Sequence, residues 1–108
     1  MEEKDNDAPK ITNQCRVKNG MSYDIKADGV RLTLLFSPRS NDGDENEWHV
    51  EARASRSPEA VVVGEWGPTR IEALRAVGRS WTSKSPTHNL AMFDWEAVAK
   101  VLLAVRAL

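Results

Sequence analysis

One cysteine, two histidines, no surplus of positive charge and no long uncharged apolar run mark this chain of 108 residues. Cys15 on its own cannot close an intramolecular disulfide, so the fold has to be held by a packed core rather than by staples. The opening MEEKDNDAPK lacks the cationic start and apolar stretch of a secretory signal, and with the single thiol this predicts a cytoplasmic protein. The most apolar tract, VAKVLLAVRAL at the C-terminal end, carries Lys100 and Arg106. It falls short of the ~20 apolar residues a membrane helix requires, so no membrane span is expected.

The shortage of ligating and nucleophilic side chains narrows the chemistry in the same way. His49-x-Glu51 places an imidazole and a carboxylate on one strand face, but the partners of a zinc site are missing, and a solvent-facing pair is the expectation. Asp42-x-Asp44-x-Asn46 opens like a calcium loop. The pattern then fails, because Glu47 stands where the sharp turn needs glycine and Arg53 where a bidentate Glu is needed. No Gly-x-Ser-x-Gly elbow and no phosphate-cradling glycine loop occur, His88 reads as a polar loop residue, and nothing beside Cys15 would activate its thiol. The reading is a protein without catalytic residues, metal or cofactor.

What the chain does contain is ordinary globular composition, 41% hydrophobic and 29% charged, at the length of one domain. The net charge is -1, but it is unevenly spread. Residues 1–51 hold eleven acids against seven bases, and residues 52–108 hold five acids against eight bases. A polar acidic start and an acidic loop account for that polarity, and the alternative is a basic patch in the second half.

Residues 1–20 are polar, without sustained apolar period, and read as a mobile tail that cannot offset the entropy of ordering. The domain proper is expected over 21–108. Tyr23, Ile25 and Ala27 alternate with polar residues, Asp28-Gly29 supplies a type I′ turn, and Val30, Leu32, Leu34 and Phe36 alternate again, which predicts a β-hairpin. Leu35 interrupts that alternation, as in a central strand or one covered on both faces. SPRSNDGDENE, from Ser37 to Glu47, reads as a solvated loop. Trp48, Val50, Ala52 and Ala54 alternate as a third strand, and AVVVGEW, Ala60 to Trp66, is the candidate fourth, ended by Gly67-Pro68.

At Thr69 the apolar period changes from 2 to 3.6. Thr69-x-x-Glu72 matches a capping box, and Ile71, Leu74, Val77 or Gly78, and Trp81 share one stripe, predicting a helix from Arg70 to Thr82 in which Gly78 marks close packing. After a linker over Ser83 to Met92, Asp94 caps a second helix, with Phe93 placed to staple onto Val98. Trp95, Val98, Leu102 and Val105 form its stripe, widened by Val101 and Leu108. The predicted architecture is α+β: an antiparallel meander of three or four strands with two C-terminal helices on one face.

The stretch from Trp48 to Trp81 resembles the N-terminal half of HicB-like antitoxin domains, in which two strands lead into a Gly-x-Thr-x-x-Glu-Ala-Leu helix start. Here that start is Gly67-Pro68-Thr69-Arg70-Ile71-Glu72-Ala73-Leu74, and the likeness covers about a third of the chain. It implies a partial ribonuclease H-like or double-stranded RNA-binding-like α+β fold and a role in binding a protein partner. Only the structural roles of Thr69 and Glu72 carry over with it.

Three of the four tryptophans, Trp48, Trp81 and Trp95, fall on apolar stripes and read as core, whereas Trp66 sits at a strand end beside glycines and is the candidate partner contact. The expected function is a non-enzymatic regulatory module that engages a protein through the sheet face, a sheet edge or the Trp66 corner, with a homodimer as one form of that pairing. The alternative is nucleic-acid or anion binding through Arg70, Arg75, Arg79 and Lys84 on and around the first helix, with Arg53 and Arg56 able to add to it.

Overall fold

The structure, a computed structural model, describes residues 8–18, 20–27, 29–38, 47–54, 62–88 and 90–108, with His88 described by its backbone alone. Five strands, β1 (Lys10–Val17), β2 (Gly20–Ala27), β3 (Val30–Pro38), β4 (Trp48–Ala54) and β5 (Val62–Gly67), precede two helices, α1 (Arg70–His88) and α2 (Trp95–Ala104). The strands form one antiparallel sheet in the order β1-β2-β3-β4-β5, so each strand lies beside its neighbour in sequence. This is the predicted α+β meander with C-terminal helices, built on five strands instead of three or four.

The extra strand is β1, inside the stretch that reads as a mobile tail. Residues 10–17 pair with β2 from Lys10↔Lys26 to Val17↔Gly20, with a bulge between Ile11 and Asn13. Seven of its eight residues are exposed and Ile11 alone packs against the core. Backbone pairing therefore holds this strand, and backbone pairing leaves no apolar period in a sequence. Residues 1–7 of the predicted tail lie outside the described residues.

The hairpin forms where the alternation places it. Gly29 takes φ 80°, and Ala27↔Val30, Ile25↔Leu32 and Tyr23↔Leu34 come into register. A positive φ is open to glycine without strain, which closes the turn cheaply. β3 is the middle strand of the five, as Leu35 suggests, but Leu35 itself points to the uncovered side and is only partly buried. The other phase of β2 to β5 is spent on the core: Ile25, Leu32, Leu34, Val50 and Ala52 are fully buried and Val63 nearly so.

Helix α1 lies against β4 and β5. Thr69 accepts the Glu72 N–H on its hydroxyl at 3.2 Å while its carbonyl takes the Ala73 N–H at 3.0 Å, which is the threonine half of the expected capping box. Leu74, Val77 and Trp81 are buried, and the Trp81 indole N–H donates to the Ala91 carbonyl at 2.7 Å, which satisfies the polar end of the ring. The Ser80 hydroxyl donates to the Glu65 carboxylate and ties α1 to β5. The helix continues past the predicted end at Thr82, so most of the expected linker and His88 belong to it. Pro86 falls in the last turn, where it removes only one internal donor, and buried Ser85, whose hydroxyl donates to the Trp81 carbonyl at 2.8 Å, keeps that turn docked.

Helix α2 begins at Asp94, whose carboxylate accepts the Ala97 N–H at 3.2 Å, and buries Val98, Ala99 and Leu102. Phe93 and Val98 both lie in the core cluster, consistent with the staple. Trp95 packs across the glycine on α1: a Cβ at Gly78 would lie 2.9 Å from Cγ of that indole. Trp81, Phe93 and Trp95 close a three-ring cluster with centroids 5.7 to 5.9 Å apart. Val105 does not extend the buried stripe. The helix ends at Ala104, Arg106 takes φ 62°, and the Arg106 and Ala107 N–H groups return to the Leu103 and Leu102 carbonyls. This Schellman turn leaves Val105 51% exposed and carries Ala107 into the core.

Candidate functional site on the uncovered sheet face

Because a strand alternates its side chains, the face opposite the helices collects every residue the core does not take. Register decides which of these become neighbours. His49 stands opposite Ser37 on one side and Trp66 on the other, Glu51 opposite Leu35 and Gly64, and Arg53 opposite Thr33 and Val62.

The cross-strand pair of His49 and Trp66 brings two rings together on this face. The ring centroids are 4.5 Å apart at an interplanar angle of 44°, and His49 Nδ1 lies 3.9 Å from Glu51 Oε2. Gly64 makes room for the imidazole, since a Cβ there would come within 2.9 Å of Nε2. The indole of Trp66 is thus propped from beneath yet 50% exposed. Val62, at the far end of the same strand, is 39% exposed, and a shallow depression of about 230 Å³ bounded by Val17, Leu35, Glu51 and Arg53 continues across the face. Nearby, the Thr33 hydroxyl donates to the Asp24 carboxylate at 2.8 Å.

Chemically this is a contact surface with one imidazole–carboxylate pair. Among the described residues no three His, Cys, Asp or Glu side chains converge. Cys15, exposed on β1, donates weakly to the Arg16 carbonyl. The calcium-like Asp42, Asp44 and Asn46 and the flanking Arg56 lie outside the described residues.

The four cations singled out on α1 are dispersed. Arg70 sits at the first turn, its guanidinium carbon 5.0 Å from the centroid of Trp48. Arg75 and Arg79 are exposed and line a groove of about 490 Å³ between the helices, floored by Gly78, Trp95 and Ala99 and bordered by Glu96. The Trp95 Nε1 is buried and has no hydrogen-bond partner among the described residues. Lys84 is exposed but, at about 100° per residue, is turned roughly 140° from Arg79. One continuous basic face does not form.

Trp66, whose position at a strand end leaves packing and exposure both open, stands in the open. Its support by His49 had no signal in the sequence, because the pairing of β4 with β5 depends on the connection between them rather than on either strand. Comparison of the sequence with protein-family models and curated proteins, and of the fold with solved structures, returns no match.

Proposed function

We propose that the domain is a non-enzymatic binding module whose uncovered sheet face receives a protein partner, with Trp66 as the anchor. The observation that carries this reading is the Trp66 indole, half exposed and already in tilted ring contact with His49. A large aromatic side chain held in place before contact loses little rotamer freedom on binding, which is why tryptophan recurs at the energetic centres of interfaces. Val62 and Leu35 extend the apolar contact, while Glu51, Arg53, Asp24, Lys26 and Arg31 supply both signs of charge around it. Such a mixed rim suits a folded protein surface, including that of a second copy of this chain, better than a uniformly charged polymer.

A photo-cross-linking residue placed at position 66 tests this in the native cell, with the same residue at position 79 as control. The expected result is a discrete adduct from position 66 that the control does not give. Light scattering of the purified chain up to millimolar concentration then separates a second copy from another protein. Absence of an adduct at 66, or equal labelling from both positions, overturns the reading.

A further inference from the structure

On the covered side of the sheet, away from Trp66, the end of β1, the inner faces of β2 to β4 and the first turn of α1 enclose a cavity of about 280 Å³. Its floor is aromatic. Tyr23 is 7% and Phe36 2% exposed, with rings edge to face at 5.7 Å, and Trp48 forms a wall. Its rim is cationic: Arg16 comes from the end of β1, Lys18 from the turn that follows it and Arg70 from α1, the last held over the Trp48 ring. No carboxylate lines the cavity among the described residues.

We infer that this cavity binds a small organic anion, its aromatic or apolar body against Tyr23, Phe36 and Trp48 and its carboxylate or phosphate group between Arg16, Lys18 and Arg70. Three like charges around one recess raise the local potential and draw in a counter-charge. Arginine offers a planar fork of donors suited to carboxylate and phosphate oxygens, and such charge-assisted bonds are about twice as strong as neutral ones. The stacking of Arg70 on Trp48 fixes that fork in advance. The volume lies just below the range usual for drug-sized ligands, so the occupant is small, and the buried rings favour one with a flat apolar body over a bare inorganic ion. The larger groove between α1 and α2 lacks this character, because Glu96 offsets Arg75 and Arg79.

The test follows amide and indole N–H resonances of the whole chain during titration with 2-naphthoate, its neutral isostere 2-naphthamide, and inorganic phosphate. Saturable shifts centred on the Trp48 indole and the Gly20 and Met21 amides are expected with 2-naphthoate, and at least about tenfold weaker binding with each of the other two. Arg70→Gln and Arg16→Gln should each weaken 2-naphthoate about tenfold, and Arg79→Gln should leave it unchanged. Arg16 is exposed, so its variant keeps the fold, which the dispersion of the same spectra verifies. No saturation, equal affinity for the amide or for phosphate, indifference to both rim substitutions, or shifts centred on the groove between the helices would each overturn the inference. The outcome is independent of the protein-partner reading, which concerns the opposite face.

Discussion

The two faces of the sheet are made from the same strands and serve opposite ends. On the covered face Ile25, Leu32, Leu34, Val50 and Ala52 have no exposure, and α1 and α2 close over them with Trp81 at the centre. On the other, His49, Glu51, Arg53 and Trp66 occupy the alternate positions of β4 and β5, beside Ser37, Leu35 and Thr33 of β3, and no helix covers them. The difference teaches that one strand can bury every second side chain and leave the others open, so the proposed recognition is separable from stability residue by residue. Substitutions at even positions of β4 are expected to act on folding, and those at odd positions on the proposed contact.

The strongest test of that separation is Trp81→Ala. It removes the largest fully buried side chain and strands the Ala91 carbonyl, so chemical denaturation should show a loss of about 3–5 kcal/mol. Gly78→Ala comes next. The added methyl gains roughly 1 kcal/mol of helix propensity but meets the Trp95 ring at 2.9 Å, and overpacking of this kind costs about 1–3 kcal/mol. A net loss is expected, and a double-mutant cycle with Trp95→Leu should recover it, locating the cost at that contact.

On the uncovered face Trp66→Ala should change stability by no more than about 1 kcal/mol, the worth of one cross-strand aromatic pair. A loss as large as that of Trp81→Ala in the same denaturation assay would collapse the distinction between the faces. The smallest effect carries the opposite sign. Arg106 holds φ 62°, a conformation that strains an L-residue by about 1–2 kcal/mol, so Arg106→Gly should raise the thermal midpoint, with a gain of about 0.5–1 kcal/mol once glycine's greater freedom in the unfolded chain is counted.

Where the structure departs from the sequence pattern, each departure has its own physical cause. Strand β1 is held by backbone pairing along an edge, and only Ile11 reaches the core, so its side chains advertise nothing. Arg16 and Lys18, which rim the cationic cavity, were hidden for the same reason. Helix α1 outruns Thr82 because Trp81 and Ser85 anchor a turn that Pro86 would otherwise argue against. Val105 lies outside the buried stripe because the chain reverses at Arg106, a turn usually signalled by glycine.

Local grammar determined a good deal on its own: the β2–β3 hairpin, the phase of β4, the caps at Thr69 and Asp94 and the close approach at Gly78. Each depends on residues within a few positions of one another, where sterics and apolar period act directly. Tertiary structure alone decided that β1 joins the sheet, that His49 supports Trp66, that Arg70 parts from Arg75 and Arg79, and that three cations surround an aromatic recess. Those outcomes follow from register and docking between distant segments, whose free energies belong to pairs of elements and are carried by neither sequence separately.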